Sequence, residues 1–120
     1  TEVALVDDNE LLLGLIREVL TGAGHAVRAF PEPSAFLHAV DHDGYAPRLL
    51  LTDMVMPEMN GAELITAATE RLPDLRCVLM SGYNLDGSPG VTADFDAPVL
   101  AKPFTNARLF EVLRERLAQG

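Results

Sequence analysis

The sequence predicts an α/β domain built on a doubly wound, five-stranded parallel sheet. Three observations predict it. Short apolar runs alternate with longer segments of helical period along the whole chain. The polar residues of interest sit just past the ends of those apolar runs. The chain has 120 residues, 48% of them apolar, which suits one domain with a substantial core.

Val3-Ala4-Leu5-Val6 is a continuous apolar run, as in a strand buried on both faces, and it ends in Asp7-Asp8-Asn9. From Glu10 to Leu20 the residues Leu12, Leu15, Ile16, Val19 and Leu20 recur at helical spacing, and Gly22 and Gly24 stop that helix. Ala26 to Phe30 reads as a second strand, and Ser34 to Val40 as a short helix entered through Pro33. Asp41 to Pro47 is loop-like. Leu49-Leu50-Leu51-Thr52 is the third and most apolar strand and leads directly into Asp53. After Pro57 and Gly61 a helix covers about Ala62 to Arg71, closed by Leu72-Pro73. Cys77 to Met80 is a fourth strand ending at Ser81-Gly82, and Val99-Leu100-Ala101 a fifth ending at Lys102-Pro103. Thr105 is an N-cap for a last helix with Leu109, Val112, Leu113 and Leu117 in one stripe.

Strands joined by helices need right-handed crossovers, and such sheets bind ligands at the carboxyl ends of their strands. Four strands therefore deliver Asp7 and Asp8, Asp53, Ser81 and Lys102 to one edge. Singly, each residue has a plain structural reading: a helix cap, a turn former, a loop serine, a solvated lysine. Their joint placement is what departs from chance. Three carboxylates held together repel unless a cation neutralises them, and Mg²⁺ prefers a few carboxylates, waters and a phosphate oxygen. A lysine and a hydroxyl beside them suit a phosphoryl group, whose transfer depends mainly on positioning and charge neutralisation.

Composition narrows the classes. The formal net charge of −9 opposes the phosphate backbone, so direct nucleic-acid binding is not expected. No apolar run nears the roughly 20 residues of a membrane span, and no export signal precedes the first strand. The single cysteine, Cys77, fits a reducing, cytoplasmic setting and a core position. The chain starts at Thr1, so its N-terminus is expected to be trimmed or to lie within a larger protein. His25, His38 and His42 show no ligand spacing with a cysteine or with one another. Phe30, Phe36, Phe104 and Phe110 read as packing residues.

Leu5-Val6-Asp7-Asp8-Asn9, Leu51-Thr52-Asp53 through Asn60-Gly61, Leu79-Met80-Ser81-Gly82 and Lys102-Pro103-Phe104 together resemble the response-regulator receiver family, from about residue 2 to residue 117. The resemblance implies a flavodoxin-like (CheY-like) strand order 2-1-3-4-5 and a single receiver domain over 1–120. It implies a phosphoacceptor, Asp53, that takes a phosphoryl group from a phosphohistidine with Mg²⁺. Asp8 would ligate the metal directly, Asp7 mainly through water, Asp53 itself as a ligand, and Val55 through its backbone carbonyl. Lys102 would contact the phosphoryl group across a cis Lys102-Pro103 bond, and Ser81 would close on it. Gly61 would permit the backbone turn after the acceptor loop. The implied partner is a sensor histidine kinase or a histidine phosphotransfer protein. The domain would be a monomeric, self-phosphorylating acceptor and not a turnover enzyme. Met80-Ser81-Gly82-Tyr83 and Lys102 to Thr105 further resemble receivers joined to hybrid sensor histidine kinases; a stand-alone receiver stays open.

Two positions depart from the family pattern. The aromatic residue usual three positions before the lysine is Val99, so the aromatic switch is expected to be absent. The family's fourth helix falls on Asn84 to Pro98, where Asp86-Gly87-Ser88-Pro89-Gly90 disfavours helix by on the order of several kcal/mol. That helix is expected to be short or irregular. An aspartyl phosphohydrolase would need an acid two residues after the nucleophile, where Val55 stands. A flavin carrier would need a Ser/Thr/Gly-rich phosphate loop where Asp7-Asp8-Asn9 stands. A non-phosphorylated receiver acting as an interaction module is the remaining alternative.

Overall fold

Alternation along β1 (Glu2–Val6) sends its side chains to two separate cores. Val3 and Leu5 pack on one face of the sheet, Ala4 and Val6 on the other, and all four are fully buried. β3 (Leu49–Asp53) divides in the same way: Leu49 and Leu51 join the first face, Leu50 the second. An apolar run without polar alternation is what a strand covered on both sides requires.

The computed structural model describes residues 2–54, 59–81, 99–101 and 105–118. Its elements follow as β1, α1 (Glu10–Gly22), β2 (Ala26–Phe30), α2 (Pro33–His42), β3, α3 (Gly61–Arg71), β4 (Arg76–Ser81), β5 (Val99–Ala101) and α4 (Asn106–Ala118). The strands are parallel. β2, β1, β3 and β4 lie side by side in that order and carry the described core, and the three-residue β5 pairs with β4 at the sheet's edge. α2 and α3 cover one face through Phe36, Ala39, Leu64, Ile65 and Ala68. α1 and α4 cover the other through Leu13, Ile16, Leu20, Leu109, Val112 and Leu113. The segment Asn84 to Pro98, where a short or irregular helix is expected, lies outside the described residues, as does Phe104.

Helix ends follow their caps. Asn9 accepts a hydrogen bond from the Leu12 N–H at 3.2 Å and starts α1. Gly24, with φ +98°, takes the left-handed conformation that follows the helix. Pro33 opens α2, whose N–H it does not need there. Asn60 and Glu63 form a reciprocal capping box on α3. Thr105 accepts from the Arg108 N–H at 3.1 Å and starts α4.

Two elements differ from their sequence reading: α2 runs on to His42, two residues into the segment read as loop, and α1 turns a different face inward. α1 buries Leu13, Ile16 and Leu20, with Leu12 and Val19 half-buried, whereas Leu15 is 53% exposed. Leu15 stands one residue, or about 100°, from Ile16 and so turns off the buried stripe. Among the described residues no helix is long and apolar enough to cross a membrane.

Candidate functional site

The carboxyl edge of the sheet assembles the acidic residues through strand register. Val6 pairs with Thr52, so the next residues on the two strands, Asp7 and Asp53, come to stand side by side. The Asp7 N–H still donates to the Phe30 carbonyl at 3.2 Å, continuing the β1–β2 ladder one residue past β1. Asp53 is the last residue of β3, paired with Met80. Beyond it, Met54 N–H donates to the Met80 carbonyl at 2.8 Å, anchoring the chain as it leaves the sheet.

Asp7, Asp8 and Asp53 each offer a carboxylate oxygen within 4.8 Å of the other two. Asp7 is fully buried, Asp53 is 7% exposed, and Asp8 opens to solvent. The cluster thus has two buried carboxylates and one that reaches solvent. The Asn9 N–H donates to Asp7 Oδ1 at 2.9 Å, which fixes the orientation of the Asp7 carboxylate. Asn9 supplies the helix cap of the Asp-Asp-Asn run, which leaves both aspartates outside the capping role. The donor set is all oxygen and anionic, which fits a hard divalent cation and not a thiophilic one.

Gly61 bears on this cluster through the backbone of Asp53. Its N–H donates to the Met54 carbonyl at 2.7 Å. A β-carbon at residue 61 would meet the Asp53 carbonyl oxygen and lie 2.5 Å from Leu79 Cδ1. Positive φ occurs only at Gly24 and Gly44 among the described residues, so a left-handed backbone is not what requires glycine at residue 61. Glycine stands there because α3 starts against the backbone of Asp53 and leaves no room for a side chain. Residue spacing alone gave no signal for that contact. Its only trace is a glycine at the first position of a helix.

Ser81 closes β4 in register with Ala101, and Met80 pairs with Leu100. Asp53, Met80 and Leu100 therefore form one rung across three strands, and Ser81 stands one residue past it. Val99 is the first residue of β5. The side chains of Ser81 and Val99, together with Val55, Lys102 and Pro103, lie outside the described part of the molecule. Met54 and Met59 pack against the α2/α3 core. Cys77 is buried in that core, and burial pushes its thiol up to about 12.

Comparison with known proteins bears on the same pattern. The family model described as the response regulator receiver domain matches residues 3–114. The response regulator receiver protein CpdR of Brucella abortus is 38% identical over 99 residues, covering 82% of this chain and 80% of that protein. The sensor kinase CckA of the same organism is 29% identical over 117 residues, covering 96% of this chain but 12% of the kinase. A crystal structure of a response regulator receiver protein from Sinorhizobium medicae superposes with a TM-score of 0.82 at 27% identity, covering 98% of this chain and 94% of that one. A receiver domain from Clostridium thermocellum has the same fold, with a TM-score of 0.88 at 19% identity over 99% of this chain and 95% of that one.

Proposed function

Because the chain belongs to the response regulator receiver domain family, we propose that it is a phosphoacceptor, taking a phosphoryl group from a phosphohistidine onto Asp53. The observation that carries this reading is the convergence of Asp7, Asp8 and Asp53 within 4.8 Å at the carboxyl edge of the sheet. Asp7, Asp8, Asp53 and the Val55 carbonyl are the groups that would hold Mg²⁺, whose charge would offset that of the phosphoryl oxygens.

The chain's own part is nucleophile and cradle. A carboxylate oxygen of Asp53 attacks the phosphorus of a phosphoimidazole. The P–O bond forms as the P–N bond breaks, and the departing imidazole keeps the electron pair and takes a proton from solvent. Asp53 suits this task because its backbone is held on both sides, by β4 through Met54 and by the start of α3 through Gly61. Asp7 is oriented before any ligand arrives by the Asn9 N–H. Lys102 and Ser81 are assigned to the phosphoryl oxygens: Ser81 closes β4 in register with Ala101, and Lys102 is the next residue in the sequence after Ala101.

The donor is a sensor histidine kinase or a histidine phosphotransfer protein, the setting cytoplasmic, and residues 1–120 act as one receiver unit. The similarity to a segment of a sensor kinase supports a place in a phosphorelay. Incubating the chain with Mg²⁺ and a small acyl phosphate should add the mass of one phosphoryl group. Chelating the metal with EDTA should prevent the addition, and hydroxylamine should reverse it. No uptake under these conditions would refute the acceptor reading and leave the interaction-module alternative.

A further inference from the structure

The last two turns of α2 carry His38 and His42, four residues apart and so on one side of the helix. Their rings lie with centroids 4.5 Å apart and planes inclined by 35°, and both residues are exposed. Read along the chain, the histidines lack ligand spacing. Because α2 extends to His42, however, this pair stands one helical turn apart.

The neighbouring carboxylates are engaged elsewhere. Asp41 accepts from Arg71 Nε at 2.8 Å, and Asp43 faces Arg28 at 4.0 Å. They hold those cations, while the two imidazoles face each other. α2 leads from β2 into β3, two parallel strands, so it runs from the carboxyl edge of the sheet back to the amino edge. Its last turn is thus at the opposite end of the sheet from Asp7, Asp8 and Asp53.

We propose that His38 and His42 form a bidentate site for a first-row transition-metal cation, Cu²⁺, Ni²⁺ or Zn²⁺, with water completing the coordination. Three arguments support it. Imidazole nitrogen suits these ions, whereas Mg²⁺ takes oxygen, so the site would select differently from the carboxylate pocket. Two nitrogens each about 2.0–2.1 Å from one ion stand roughly 3 Å apart, a separation that rings with this centroid spacing reach by side-chain rotation alone. Paired histidines one turn apart on a helix are a recurring way of holding zinc. The setting also favours a cation: His42 ends the helix, where the backbone dipole is negative, and the chain carries a net charge of −9.

The test is calorimetric titration of the whole chain, kept in excess Mg²⁺ so that the carboxylate pocket does not compete. One site per chain is expected, tightening from Zn²⁺ or Ni²⁺ to Cu²⁺. His38→Gln and His42→Gln should each weaken Ni²⁺ at least tenfold, while His25→Gln and Asp8→Asn leave it within about twofold. In the unaltered chain, Cu²⁺ at a small fraction of one equivalent should broaden the ring proton resonances of His38 and His42 first. Unchanged Ni²⁺ affinity in the double His→Gln variant, loss of it in Asp8→Asn, or broadening that begins elsewhere would each overturn the proposal.

Discussion

At residue 61, side-chain volume is the constraint. Gly61→Ala places a methyl group against the Asp53 carbonyl and Leu79, both held by the sheet, so the start of α3 must shift. Overpacking of this kind costs about 1–3 kcal/mol. The urea midpoint should fall accordingly, and an unchanged midpoint would show that the contact relaxes freely. Tyr45 presents the opposite case. Its ring packs with Phe30 and Phe36 under the Arg28 guanidinium, and its hydroxyl is shut off from solvent with no hydrogen-bond partner among the described residues. Removing an unsatisfied buried hydroxyl should leave stability equal or higher, so Tyr45→Phe should not lower the melting temperature. Burial also pushes the Tyr45 phenol up to about 12 from the ordinary 10. The folded state thus favours the neutral phenol: its contribution is full below pH 10 and is lost as pH rises toward 12. Alkaline unfolding curves should show that loss in the native chain and less of it in Tyr45→Phe.

At the level of elements, caps and strand ends were legible in the sequence and helix faces less so. β2, from Ala26 to Phe30, and β5, from Val99 to Ala101, have the bounds their apolar runs suggest. Thr105 caps α4 as its hydroxyl implies. α1 was harder because Leu11, Leu12, Leu13, Leu15, Ile16, Val19 and Leu20 allow more than one apolar face. Contact with β2 and the shared core with α4 select the face of Leu13, Ile16 and Leu20, and a single helix carries no record of its neighbours. The capping box on α3 allows a direct test. Asn60→Ala removes the side-chain acceptor for the Glu63 N–H, while the backbone N–H of residue 60 can still donate to the Glu63 carboxylate. About 1 kcal/mol of stability should go with it, and Asn60→Asp should recover most of that loss. Equal melting temperatures for Asn60→Ala and the native chain would contradict the assignment.

Across the whole molecule, the sheet gathers repulsive charge at one edge. Asp7, Asp8 and Asp53 come from two strands that the sequence separates by more than forty residues, yet all three were legible because each follows an apolar run. Parallel strands bring such positions to a common edge by topology alone. Burial of Asp7 and the tight seat of Gly61 were not legible, because both depend on how α3 and β1 pack around β3. A cation that binds this cluster in the folded state stabilises the fold by mass action, about 2.7 kcal/mol at one hundred times its Kd. Saturating Mg²⁺ should therefore raise the melting temperature by several degrees, and Asp8→Asn should abolish most of the rise. The same shift in that variant would place the ion elsewhere. Which carboxylate carries the phosphoryl group is the sharper question, and chemical trapping answers it. After treatment with an acyl phosphate and Mg²⁺, borohydride reduction converts a phosphoaspartate to homoserine, and peptide mass mapping locates the change. Homoserine should be found at residue 53 and nowhere else; homoserine at residue 7 or 8, or none at all, would contradict the assignment of Asp53.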